Sequence, residues 1–161
     1  MGHLGGPRLL RGREGGSQMS REEIATLVHR YADAVVHRDG DQWVATWAKE
    51  AVWELGQGRR VEGRDAIFEL WQQAMKGMTA VVQTVLNGEV QIDEAAGTGS
   101  GRWYIQESMR RADGTDAILL AHYNDTYVRT NEGWRFASRE LAPHYQGPPD
   151  LSGTFLNAAD G

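Results

Sequence analysis

The 161-residue chain contains no cysteine. That excludes a disulfide framework, a thiolate nucleophile and any cysteine-based zinc site. It also fits a reducing compartment, and a cytoplasmic protein is expected. No apolar run approaches the ~20 residues that a membrane helix needs, so no membrane partner is expected. Basic residues are in short supply: 17 Lys and Arg stand against 22 Asp and Glu, for a formal net charge of −5. A nucleic-acid surface needs clustered Lys and Arg, and no basic stripe interleaved with aromatics occurs. The five histidines show neither the i, i+4 spacing of a zinc helix nor an HxH pair, and no metal is expected. There is no G-x-S-x-G and no phosphate loop. The glycine-rich "GTGSG" (97–101) leads into a strand pattern rather than a helix, so it is not a dinucleotide site. No cofactor is expected.

What is present suits one globular domain with a sizeable core. Hydrophobic residues make up 40% and charged residues 24% of the chain. All six tryptophans fall between Trp43 and Trp134, so the core or a cavity is rich in aromatics. Residues 1–18 hold six glycines and no periodic apolar pattern. They read as a disordered leader, with Met19 a plausible native start and 19–161 a single domain.

Ser20 and Glu23 form a capping box for a first helix. Ile24, Leu27, Val28, Tyr31 and Val35 follow at helical spacing and give one buried stripe, which ends at Asp39-Gly40. Asp41 can cap a second, short helix that places Trp43 and Trp47 on one face. Two short strands, "AVWELG" and "RRVEG", flank the turn Gln57-Gly58. A third helix, "RDAIFELWQQAMKG", carries Ile67, Leu70, Trp71 and Met75 on one side and ends at Gly77. From Val81 the pattern changes to long strands at 81–93, 100–111, 116–129 and 134–144. Helices first and antiparallel strands afterwards make an α+β plan. A curved, mostly antiparallel sheet packed on three N-terminal helices would form a cone-shaped α+β barrel around a pocket. The glycines at 97, 99 and 101 would permit the curvature.

Several polar residues break these patterns. In "GRWYIQESM", Glu107 shares a strand face with Trp103, Ile105 and Met109. Desolvation there raises a carboxyl pKa and suits it to acid/base work, unless the group simply pairs with an arginine. Asp39 prolongs the buried stripe of the first helix and could reach a pocket, although Asp-Gly is also a common turn pair. Gln83 and Asn87 flank Val85 on one strand face, as in the wall of a wet cavity or on an exposed face. A buried Tyr31 needs a partner for its hydroxyl.

The succession "RYADAVVHRDGDQW", "AVWE", "GRDAI", "VVQTVLNGEV", "GRWYIQESM" and "YNDTYVRTNEGWRFASREL", over about residues 20–145, resembles the SnoaL-like branch of the nuclear transport factor 2-like superfamily. Within it the chain is most similar to the scytalone dehydratase, bile-acid 7α-dehydratase and lindane dehydrochlorinase group. The resemblance implies a cone fold with a deep pocket and an Asp–His acid/base pair. By position Asp39 matches the Asp, while the His position falls on Gln83. It implies a pocket carboxylate at Glu107 and a pocket-facing tyrosine at Tyr31. The expected function is a cofactor-independent lyase or isomerase, of dehydratase or cyclase type, acting on a small apolar ring-containing substrate. Asp39, Glu107, Gln83 and Tyr31 would be catalytic, with Tyr104 as another oxyanion donor. Trp43, Trp47, Trp103, Asn87 and Tyr104 would line the substrate site. Two other readings stay open: an epoxide hydrolase using two carboxylates and Arg102 or Arg139, and a non-catalytic ligand-binding or dimerisation module. A homodimer, or a trimer, is expected through an outer sheet face bearing Tyr104, His122 and Val128.

Overall fold

The computed structural model describes residues 10–156, with side chains from residue 16 onward. Three helices and six strands follow one another as α1 (Leu10–His37), α2 (Gly40–Val44), β1 (Trp47–Glu54), β2 (Arg60–Glu62), α3 (Arg64–Lys76), β3 (Met78–Asp93), β4 (Thr98–Arg111), β5 (Asp116–Thr130) and β6 (Gly133–Gly147). The strands form one sheet in the order β2-β1-β6-β5-β4-β3. All neighbours are antiparallel except β1 and β6, which run parallel. The sheet is therefore mixed, curved and open, with β2 and β3 as its edges. This is the expected α+β plan of a cone-like sheet on three helices. Among the described residues, no helix is long and apolar enough to cross a membrane.

The start of the first helix differs from the expectation. Part of the expected leader, residues 1–9, lies outside the described residues, but the chain is already helical from Leu10. Ser20 therefore sits inside α1 rather than at its cap. It is 5% exposed, and its hydroxyl lies 3.5 Å from an Arg129 nitrogen. It has been recruited to join α1 to the strands.

The apolar stripe of α1 does what its spacing requires. Ile24, Leu27, Val28, Tyr31 and Val35 are all buried against the sheet. The helix stops because Arg38 turns into the left-handed region, with φ of 54°. The Arg38 guanidinium then bonds the carbonyls of Met75 and Met78, locking the α1 exit onto the end of α3. Beneath the helices, Trp43 stacks on Trp71 at 4.6 Å between ring centroids and contacts Trp47 and Trp53. Tyr31 and Phe136 complete this aromatic core.

Strand β3 carries an irregularity between Val85 and Gly88, whose partners on β4 are Ile105 and Trp103. Such a bulge bends the strand and increases its twist. Its cause is visible at Gly88, where an added Cβ would sit 2.3 Å from Trp103 Cε3. The indole lies on bare backbone. Gly101 is similarly constrained, because a Cβ there would stand 2.7 Å from the Tyr127 hydroxyl.

Candidate active site

Alternation along the strands turns one face toward the helices and the other away. Gln83 on β3, Trp103, Ile105 and Glu107 on β4, and Leu119, Tyr123, Asp125 and Tyr127 on β5 share the inner face. Glu107 and Gln83 are direct cross-strand partners, and Gln83 Nε2 donates to Glu107 Oε2 at 2.8 Å. Gln83 is 7% exposed and Glu107 is mostly buried. Burial pushes the Glu107 carboxyl above its usual range, and the Gln83 bond opposes this only in part. Among the described residues no arginine bonds it. Arg102 is directed to Asn124, and Arg139 is held by Asp125.

Alongside lies a second, fully buried group. Arg139 Nε and Nη2 donate to the two Asp125 oxygens at 2.8 and 3.2 Å. The Tyr127 hydroxyl donates to Asp125 at 2.9 Å and accepts from Trp103 Nε1 at 3.0 Å. The guanidinium carbon lies 4.4 Å from the Tyr31 ring centre, 3.8 Å from that of Tyr123 and 4.2 Å from that of Phe136. Burial opposes the charge on Arg139, but Asp125 together with Tyr31 and Tyr123 outweighs it and the guanidinium stays firmly protonated. Burial likewise raises the Asp125 carboxyl, against the pull of Arg139 and Tyr127.

Tyr31 and Tyr123 pack on the buried ion pair and lie within electrostatic reach of Glu107. Their hydroxyls approach to 3.5 Å, and both rings stand on Arg139. Burial raises both phenol pKa values, and the negative charge of Glu107 adds to the rise in each. The carboxyl of Glu107 and this phenol pair therefore share one electrostatic environment, with both phenols protonated.

The other expected site residues lie elsewhere. Asp39 is exposed and caps α2, its side chain accepting from the Gln42 backbone N–H at 3.0 Å. The left-handed turn at Arg38 takes Asp39 off the buried stripe, and it does not join Gln83 and Glu107. Asn87 is exposed because the bulge reverses the strand phase after Val85. Tyr104 points to the outer sheet face, against His122 and His144. Asn87 and Tyr104 instead line an outer groove of about 590 Å³. Trp43 and Trp47 are 0% exposed and fill the aromatic core, while Trp103 is fixed by Tyr127. Tyr123, Asp125 and Tyr127 lie outside the expected site, although the alternation in "AHYNDTYV" puts all three on the face opposite His122.

A carboxyl with a raised pKa and a phenol pair within its electrostatic reach, on the inner face of an open cone of sheet, place the molecule among α+β folds with an interior polar cluster. The SnoaL-like domain model matches residues 18–140, and the chain belongs to that family. Solved structures of the same fold agree. A crystal structure from Novosphingobium aromaticivorans, described as a candidate scytalone dehydratase, superposes with a TM-score of 0.79 at 15% identity, covering 91% of this chain and 99% of that one. The type-3 hexachlorocyclohexane dehydrochlorinase LinA of Novosphingobium barchaimii gives 0.77 at 16% identity, over 91% and 99%. A Mycobacterium tuberculosis protein of unknown function gives 0.71 at 22% identity, over 89% and 81%. At these identities the likeness concerns the fold. No curated protein matches.

Proposed function

We propose that the protein is a cofactor-independent lyase or isomerase in which Glu107 moves a proton on a small, largely apolar carbonyl compound. The supporting observation is the Glu107–Gln83 pair: a mostly buried carboxyl with a raised pKa, bonded to a neutral amide and, among the described residues, to no arginine. An upward shift brings a carboxyl's pKa closer to the pH at which proton transfer is efficient. Glu107 takes the proton from carbon α to the carbonyl, and the C–H electron pair moves onto the carbonyl oxygen. Tyr31 and Tyr123, whose phenols remain protonated, donate hydrogen bonds to that oxyanion. Gln83 holds the carboxyl in place without exchanging protons itself. Returning the proton to another carbon gives isomerisation, and expelling a β-substituent gives elimination. The fold's similarity to the dehydrochlorinase and to the candidate dehydratase supports this reaction class. Asp39 has no part in the step.

Hydrogen–deuterium exchange tests the proposal without requiring the natural substrate. A panel of uncharged cyclic ketones in D2O is followed by NMR with wild-type protein, Glu107→Gln and Asp39→Asn. Exchange at the α carbon should be lost in Glu107→Gln, by about 10²–10⁴-fold for a general base, and kept in Asp39→Asn. Exchange that survives Glu107→Gln overturns the proposal. Saturable ketone binding with no exchange in the wild-type protein favours a ligand-binding module instead.

A further inference from the structure

The outer face of the sheet carries a cluster that takes no part in the interior chemistry. His122 on β5 and His144 on β6 face each other, with His122 Nδ1 and His144 Nε2 2.8 Å apart. Both rings are half-buried, and Tyr104 on β4 packs beside them, with ring centres 5.4 Å from His122 and 6.2 Å from His144. In sequence the two histidines are 22 residues apart, so no spacing motif marks them. Strand pairing brings them together: His122 lies opposite Ala142, and His144 is two positions further along β6.

We infer that His122 and His144 form a two-histidine chelate for a divalent late-transition metal of tetragonal preference, Cu(II) or Ni(II). The ligand pair favours this class: two imidazoles are brought together across β5 and β6. With metal–nitrogen bonds of about 2.0 Å, two cis ligands at 90° stand about 2.8 Å apart, so one ion can span the pair without a strand moving. Before loading, the contact is a hydrogen bond; on loading, its proton moves to the outer nitrogen of the same ring and both rings turn their lone pairs toward the ion. Imidazole suits these metals, and Cu(II) heads the affinity order among divalent first-row ions. The ligating form is the neutral ring. Among the described residues no group of three His, Asp or Glu side chains surrounds a metal-sized space, so water completes the coordination. Tyr104 walls the site on one side.

Titration of the full chain with Cu(II) by calorimetry and electron paramagnetic resonance tests the inference. The protein carries His3→Ala throughout, which removes a competing imidazole next to the amino terminus. One equivalent should bind per chain, with superhyperfine structure from two nitrogens. His122→Ala and His144→Ala should each weaken binding at least tenfold and reduce the spectrum to at most one nitrogen. His29→Ala and His37→Ala should change neither. Both rings of the pair are half-buried on the sheet surface, and circular dichroism of each variant confirms that the fold is retained. Affinity unchanged in His122→Ala or His144→Ala, or lost in His29→Ala or His37→Ala, overturns the assignment, as does the absence of Cu(II) binding in the His3→Ala protein.

Discussion

The Asp125–Arg139 pair offers the strongest quantitative test of the interior. Asp125 is 3% exposed and Arg139 is 1% exposed, and two hydrogen bonds of 2.8 and 3.2 Å join them. Arg139→Met keeps most of the aliphatic stem against Tyr31, Tyr123 and Phe136 but leaves the Asp125 carboxyl buried with only Tyr127 as partner. At a charge separation of about 4 Å and an effective dielectric constant of about 20, the lost attraction is about 4 kcal/mol. Breaking one half of a buried pair typically costs about 3–5 kcal/mol, in line with that value. For a chain of this size each kcal/mol lowers Tm by about 2–4 °C, so the variant should melt about 6–20 °C below wild type. Asp125→Asn should also destabilise, because Arg139 keeps its charge. The Asp125→Asn/Arg139→Met double variant removes both charges, and its loss should fall well short of the sum of the two singles. Urea unfolding of all four proteins, followed by tryptophan fluorescence and circular dichroism, completes the cycle. A loss below about 1 kcal/mol for Arg139→Met, or strict additivity in the double variant, would refute the claim that this ion pair anchors the floor beneath the two tyrosines.

Three further predictions concern single positions. The folded-state pKa of Glu107 is raised by burial, so the native protein holds a proton that the unfolded chain has released. Its contribution is intact below the ordinary carboxylate pKa of about 4.3 and is lost as pH rises through the folded value. Glu107→Gln should therefore match wild-type stability near pH 4 and exceed it near pH 8; urea midpoints that differ equally at the two pH values would contradict this. Gly88→Ala forces a Cβ to within 2.3 Å of the Trp103 ring and 2.9 Å of the Arg102 carbonyl. It should cost about 1–3 kcal/mol by overpacking and alter the near-ultraviolet dichroism of Trp103, and an unperturbed spectrum with full stability would count against the bulge being needed. Asp39→Ala should cost about 1 kcal/mol through loss of the α2 cap, read as a lowered Tm, while ketone exchange is unchanged.

The elements were legible because their causes are local. The stripe from Ile24 to Val35 could only be a helix with one buried side. The change to period-two alternation after Val81 announced strands whose ends fall within a few residues of those observed. The order of elements then led to an α+β cone. Two local signals misled. Ser20 and Glu23 carry the pattern of a helix start, yet Ser20 lies within α1 and is engaged by Arg129. Asp41 has the residue type to cap α2, but the turn at Arg38 presents Asp39 to the Gln42 N–H instead.

The site was only half legible, and the reason is the same in each case. Glu107 could be found because it interrupts an apolar face on its own strand. That same rule, applied to β5, would have singled out Asp125 between Tyr123 and Tyr127. The tyrosines on either side of Asp125 mask this signal, because a polar residue between them is unexceptional. Arg139 gave still less signal, since its burial depends on Asp125 across a strand pair and on three rings from α1, β5 and β6. Asn87 failed for the opposite reason. Its alternation with Gln83 holds only if β3 stays regular, and the bulge that breaks the phase is dictated by Trp103 on another strand. The His122–His144 pair has no local mark at all. What a single strand's pattern reports is which face a residue occupies. Which charge it meets there is set by register, and register is what placed Gln83, rather than an arginine, opposite Glu107. That neutral partner compensates the carboxyl's burial only in part, and on this the proposed proton transfer depends.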